Sequence, residues 1–404
     1  MIETPELRLC PICSSPEREI VFKQHFEPIE GASLTTGYEV VVCQNCGLVF
    51  ADRIPSKEIF DRYYAESSKY EYSHQGGKQH EAELRRLSGL ADWIATQTSL
   101  SSRLLDAGCA TGELLVALRE RGFTNLTGLD PSETCVQYAR DKNGLRMIQG
   151  VMGSKPENEA PFDVVVLSAV LEHIPDLNPF IEQSLQWLVP GGLLIIEVPD
   201  VENFAKGFNA PLQELSLEHI NFFSAASLEN LMGNHGFTRL DDRYEICYVA
   251  QNLTGAVLTM SFRSGGEIKA PRLESKSESG IKIYLKDCQE QMKFEADVIK
   301  DLVETQRPVF LWGVGTLCQR LLATTDLPKA NICAFIDSNP HYQGKELMGH
   351  RIIAPIDLIG RSEPILILSW PFFEEISHQI RSQLKFSNEI LCIHKFPEIQ
   401  EAKG

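Results

Sequence analysis

One stretch constrains this chain more than any other: Leu104-Leu105-Asp106-Ala107-Gly108-Cys109-Ala110-Thr111-Gly112. Apolar residues ending in an acid, followed by two glycines four apart, read as a strand that stops, turns and opens a helix. Gly108 and Gly112 fall where a backbone must come close to a ligand with no Cβ in the way. The same periods then repeat, with strands at 126–130, 162–167 and 193–198 and helices at 113–121, 133–142 and 178–188. Such alternation predicts an α/β fold, a Rossmann-like doubly wound sheet covered on both faces and closing near residues 239–250.

The chemistry of the loop separates two ligand classes. A dinucleotide site uses G-x-G-x-x-G so that a pyrophosphate can rest on the helix N-terminus. Here the glycines are spaced differently and an acid precedes them, which suits a cationic ligand without a pyrophosphate, S-adenosylmethionine. Asp106, Gly108, Cys109 and Gly112 would border its amino-acid end. Asp130, ending the next strand, offers two oxygens to the ribose hydroxyls, with Pro131 beside it. Val151 and Met152, past the third strand, are placed to border the adenine.

Upstream, Cys10-Pro11-Ile12-Cys13 and Cys43-Gln44-Asn45-Cys46-Gly47 form two C-x-x-C turns separated by β-formers around 38–42. Two such loops can close a tetrahedral site of four sulfurs, so Cys10, Cys13, Cys43 and Cys46 are read as ligands of a structural Zn2+. Eleven cysteines in 404 residues, the others scattered singly, fit metal and reduced thiols better than disulfides. The formal net charge of −17 argues against a nucleic-acid partner. The N-terminus lacks the pattern of a secretory signal and the apolar runs are strand-sized, so no membrane partner and a cytoplasmic location are expected.

Residues 54–100 read as helical and carry a tyrosine cluster, Tyr63, Tyr64, Tyr70 and Tyr72. Residues 265–280 are polar and mark a linker before an amphipathic helix at 281–304. A second, smaller βα series follows, with Gly313-Val314-Gly315 after one strand and Asp337 ending another. With Cys318 in the third glycine position, this loop allows two readings: a dinucleotide such as NAD, or a domain that clasps a nucleotide sugar or packs structurally. Three domains are expected. They are a zinc ribbon at 1–55, an S-adenosylmethionine-binding domain at 56–260 with a helical lead-in at 56–100, and a Rossmann-like domain at 261–404.

Two histidines fall where such a sheet presents its substrate crevice, in Glu172-His173 and in Ser216-Leu217-Glu218-His219. Methylating carbon requires a base to remove a C–H proton first, whereas O- or N-methylation can run on positioning alone. The other role open to Glu218-His219 is structural, as the approach to a helix capped by Ser224.

In wording, residues 104–112 resemble the first motif of class I methyltransferases and 162–177 their fourth. The whole chain resembles the three-domain deoxysugar C-methyltransferases, which methylate carbon 3 of nucleotide-linked keto sugars. The resemblance runs through Cys10, Cys13, Cys43, Cys46, Tyr70-Glu71-Tyr72-Ser73, His80, the 106–112 loop, Glu218-His219, 336–345 and 365–370. It implies an enolate mechanism in which His219 abstracts the proton α to the ketone and Glu218 supports it or binds the sugar. Tyr72 and His173 would hold substrate, with thymidine diphosphate between the central and C-terminal domains. Ser216 stands where that family has tyrosine, and Ala110 where it has asparagine. The implied partner is a nucleotide sugar met by a monomer or homodimer. Competing readings are an O- or N-methyltransferase on another small metabolite, and an S-adenosylmethionine-binding scaffold with a zinc interaction module.

Overall fold

A computed structural model of the chain describes residues 7–31, 33–66, 81–250 and 253–394. It divides into two compact units, one of Met1–Lys23, Tyr38–Phe208 and Leu217–Tyr284, the other of Gln24–Gly37, Asn209–Ser216 and Leu285–Gly404. These limits differ from the three domains expected at 1–55, 56–260 and 261–404. The ribbon does not stand apart because its apolar side is part of the central core. Cys10, Ile12, Val41, Cys43, Cys46 and Phe50 are buried in one cluster with Leu105, Val165, Ile196 and Phe223.

The chain opens with β1 (Arg18–His25), β2 (Gly37–Cys43) and β3 (Val49–Asp52), then helices α1 (Lys57–Glu66) and α2 (Glu81–Gln97). Alternation follows: β4 (Leu104–Ala107), α3 (Glu113–Glu120), β5 (Leu126–Asp130), α4 (Glu133–Asn143), β6 (Met147–Gln149), β7 (Phe162–Ser168), α5 (Leu177–Trp187) and β8 (Leu188–Pro199). After β9 (Asn221–Phe222) and α6 (Ala225–Asn234), the hairpin β10 (Phe237–Ala250) and β11 (Leu253–Ser264) completes a seven-stranded sheet ordered β10-β11-β8-β7-β4-β5-β6. Strands β4 to β8 run parallel, and β11 lies antiparallel to β8. Their near-continuous apolar runs, Val164 to Leu167 and Leu194 to Ile196, are buried because helices cover both faces. The strand order reverses between β4 and β7, which places the ligand crevice beyond their carboxyl ends.

Two boundaries differ from the sequence expectation for identifiable reasons. Strand β8 starts at Leu188 rather than 193, carrying Pro190-Gly191-Gly192 as an irregularity opposite Asp163, where the register with β7 shifts. The long helix α7 (Lys276–Thr305) starts before 281 because the Glu274 carboxylate accepts from the backbone N–H of Lys276 and Ser277 and so caps it. The second unit then follows βα alternation through β12 (Val309–Trp312), α8 (Thr316–Thr324), β13 (Ile332–Ile336), β14 (Glu346–Leu347), β15 (His350–Ile353), β16 (Ile365–Ile367), α9 (Phe373–His378) and β17 (Ile390–Cys392). Its sheet is ordered β14-β15-β13-β12-β16-β17. Among the described residues no helix is long and apolar enough to cross a membrane.

Candidate active site

The loop after β4 is held open by its own backbone. Gly108 (φ 77°), Ala110 (φ 45°) and Gly112 (φ 84°) all take left-handed conformations, and a Cβ on Gly112 would stand 2.3 Å from Leu145. The Asp130 carboxylate braces the turn, accepting from Ala110 N at 2.8 Å and from Ser132 N at 2.9 Å. Each of its oxygens keeps a second lone pair for a hydroxyl. Asp106 is buried in the same place. Burial, then the charges of Asp130 and Glu113, push its carboxyl up to about 7. Burial likewise pushes the Cys109 thiol up, so it stays neutral.

One cavity is lined by Asp106, Gly108, Cys109, Asp130, Pro131, Val151 and Met152, seven of the eight residues expected around the methyl donor; Gly112 is not on its wall. Val151 is half exposed, whereas Met152 is buried and its carbonyl accepts from the Trp187 indole at 2.7 Å. Arg86, which the sequence did not mark, lines the same cavity and pairs with buried Glu197 of β8.

The cavity continues to Tyr63, Tyr64, His173 and Glu218. His173 ends a single 3-10 turn, Leu171–His173, and its Nδ1 lies 3.1 Å from the Glu218 carbonyl. A carbonyl can only accept, so Nδ1 carries the proton and Nε2 of neutral His173 keeps its lone pair. The His219 ring meets His173 edge-on, with centroids 5.0 Å apart. Ligand atoms of Glu172, His173 and His219 lie within 4.8 Å of one another. Of the expected catalytic residues the structure thus brings together His173, Glu218 and His219, with His219 reached through His173 rather than on the cavity wall. Tyr72 lies outside the described residues, as do Tyr70 and His80.

What locks the two histidine segments together is a pair of residues no motif marks. Asn221 Nδ2 donates to the carbonyls of Leu171 and Ile174, each at 2.8 Å, while its Oδ1 accepts from Arg8 at 2.8 Å. Arg8 also donates to the carbonyls of Ala51 and Ile220. Ile220 N donates to Glu172 O at 2.8 Å, and β9 pairs with β3, so the ribbon hairpin holds the segment that carries Glu218 and His219. Ser224 caps α6 as expected, accepting from Ser227 N.

The four ribbon cysteines converge. Their sulfurs lie within 4.8 Å of one another, with Cys10 to Cys46 and Cys13 to Cys43 each at 3.5 Å, and none is in a disulfide. A tetrahedron with metal–sulfur arms of 2.3 Å has edges of about 3.8 Å, so this group can hold a metal ion. Gly47 (φ 83°) permits the second turn, since a Cβ there would stand 2.0 Å from the Glu274 carbonyl.

Comparison with known proteins points the same way. A family described as a methyltransferase domain matches residues 74–241. The C-methyltransferase NovU of Streptomyces niveus is 23% identical over 358 residues, covering 84% of this chain and 81% of NovU. A probable S-adenosylmethionine-dependent methyltransferase of Mycolicibacterium smegmatis is 29% identical over 169 residues, 38% of this chain and 63% of its own. A ubiquinone biosynthesis O-methyltransferase of Xylella fastidiosa is 33% identical over 112 residues, 26% of this chain and 45% of its own.

Proposed function

We propose that this chain, a class I S-adenosylmethionine-dependent methyltransferase, methylates a carbon beside a ketone in a nucleotide-linked sugar. The observation that carries the reading is His173 and Glu218 on the wall of the cavity that the loop after β4 lines, with His219 packed against His173 behind it. A C–H acceptor needs a base of near-neutral pKa, and imidazole is the side chain that supplies one. S-adenosylmethionine, bordered by Asp106, Gly108, Cys109, Gly112, Asp130, Pro131, Val151 and Met152, supplies the electrophilic methyl. His219 takes the proton α to the ketone, Glu218 faces the sugar or the imidazolium that results, and His173 and Tyr72 hold the acceptor. Zinc on Cys10, Cys13, Cys43 and Cys46 would fix the ribbon and, through β3 and β9, the Glu218–His219 segment.

A second reading has one observation in its favour. Glu172, His173 and His219 form a two-histidine, one-carboxylate set that suits a divalent cation, which could orient a hydroxyl acceptor for O-methylation. The atom that receives the methyl group separates the two, and His219→Asn tests the base. The probe is a thymidine diphosphate-linked 4-keto-6-deoxyhexose, with the product located by NMR. Removing a general base is expected to lower turnover by about 10²- to 10⁴-fold. Undiminished turnover by His219→Asn ends the carbon reading, and a larger loss in His173→Asn moves the base to His173.

A further inference from the structure

The generic methyltransferase match begins at residue 74, yet part of the acceptor wall comes from α1, which precedes it. Tyr63 and Tyr64 of that helix both line the cavity. The Tyr63 hydroxyl donates to Glu218 Oε1 at 2.8 Å. The Tyr64 ring meets the Tyr63 ring edge-on at 5.3 Å and the His173 ring at 5.7 Å. Glu218 is therefore held from two sides, its carboxylate by the Tyr63 phenol and its backbone carbonyl by His173.

We infer that Tyr63 is a positioning residue of the acceptor site: its phenol fixes the Glu218 carboxylate on the cavity wall, and Tyr64 braces the His173 imidazole beside it. A glutamate side chain has three rotatable bonds, and an unanchored carboxylate one residue from His219 could turn aside from the acceptor. A hydrogen bond from a phenol to an ionised oxygen is among the stronger ones, so it selects one rotamer and lowers the ordering cost at the moment the acceptor binds. The methyl-donor end is then built within the matched residues 74–241, and the acceptor end is completed by a helix that precedes them. Ser216, two residues before Glu218, cannot supply a phenol, and Tyr63 delivers one from a separate element.

The inference rests on the acceptor reading above but is tested so that the two fail separately. The experiment is a double-mutant cycle of Tyr63→Phe, Glu218→Gln and both together, with the same keto-sugar probe and full-length protein. Tyr63→Phe is expected to lower kcat by about 10- to 100-fold, the scale of one hydrogen bond to a charged group. The dissociation constant for S-adenosylmethionine should change less than about two-fold, since the donor-binding loop is untouched. In the Glu218→Gln background, Tyr63→Phe should add little. Equal effects in both backgrounds, or a Tyr63→Phe loss confined to donor affinity, overturn it. Crystal structures of the wild type and Tyr63→Phe give a readout that needs no acceptor: the Glu218 carboxylate should leave its position in the variant, and an unmoved carboxylate overturns the assignment. A probe that the wild type does not turn over would sink the substrate reading while leaving this structural test intact.

Discussion

At the end of β4 and at the end of β12 the chain turns over the same brace. Asp130 accepts from Ala110 N and Ser132 N, and Asp337 accepts from Val314 N at 3.0 Å and Asn339 N at 2.8 Å. Asp130 is buried and Asp337 partly so, and burial pushes both carboxyls upward. Around this shared brace the two loops part. The first has three left-handed residues and Asp106 two positions before its first glycine. The second has only Gly313 (φ 99°) in that region and buried Leu311 where the acid would stand. An aspartate at the end of one strand gripping the loop after the preceding, neighbouring strand is thus a structural device common to both units.

The largest test of that comparison is to cut both braces. Asp130→Asn and Asp337→Asn each set an amide N–H against a backbone N–H, so each should cost about 1–3 kcal/mol of stability. Only Asp130→Asn should also weaken S-adenosylmethionine, by about 100-fold, because only there would the carboxylate face ribose hydroxyls. Calorimetric titration of both variants checks this. A comparable loss in Asp337→Asn would break the distinction between the loops.

A smaller test uses the glycines. At Gly108 a Cβ would need φ 77° and would stand 2.7 Å from Val170, which lines the cavity. Gly108→Ala should therefore weaken the donor by about 10-fold through a displaced loop. Gly315 is extended, and a Cβ on it meets nothing within 4 Å. Gly315→Ala should change stability by less than about 0.5 kcal/mol and leave donor binding alone. The same variant sharpens the second loop's role: a wild-type protein that binds NADH, and a Gly315→Ala protein that does not, would give that loop a dinucleotide to approach.

The geometry of the loop proposed to hold the donor was legible because strand, glycine turn and strand-end acid lie within 27 residues, from Leu104 to Asp130, and each element follows a local rule. The acceptor half was legible only as residue types. His173 and Glu218 are 45 positions apart and meet through a carbonyl, a contact that leaves no trace in side-chain pattern. Arg8 and Asn221 act through backbone carbonyls of distant segments, so nothing in their neighbours marks them. Tyr63 stood in a visible tyrosine cluster, but helical spacing could not say that it, rather than a neighbour, reaches Glu218. The ribbon's cysteine spacing was plain. Its packing into the central core was not, because the short apolar runs in β2 and β3 look the same whether they cover a small core or join a large one.

The smallest expected effect comes from the acid that distinguishes the two loops. In the folded chain Asp106 titrates near 7, well above the ordinary value of 3.8, so between those pH values the native state holds more protons than the unfolded chain. Stability should accordingly fall as pH rises from about 4 to about 7, and be insensitive to this group above that window. A cationic ligand favours the ionised form, so binding S-adenosylmethionine below pH 7 should expel a proton. Its affinity should then rise by no more than about ten-fold from pH 6 to pH 8. Titrations at pH 6.5 in buffers of different ionisation enthalpy measure the proton directly. Asp106→Asn should remove both the proton release and the slope. A wild-type protein that binds the donor with no proton exchanged would mean that Asp106 is a buried structural acid, as uninvolved with the ligand as Leu311 in the second loop.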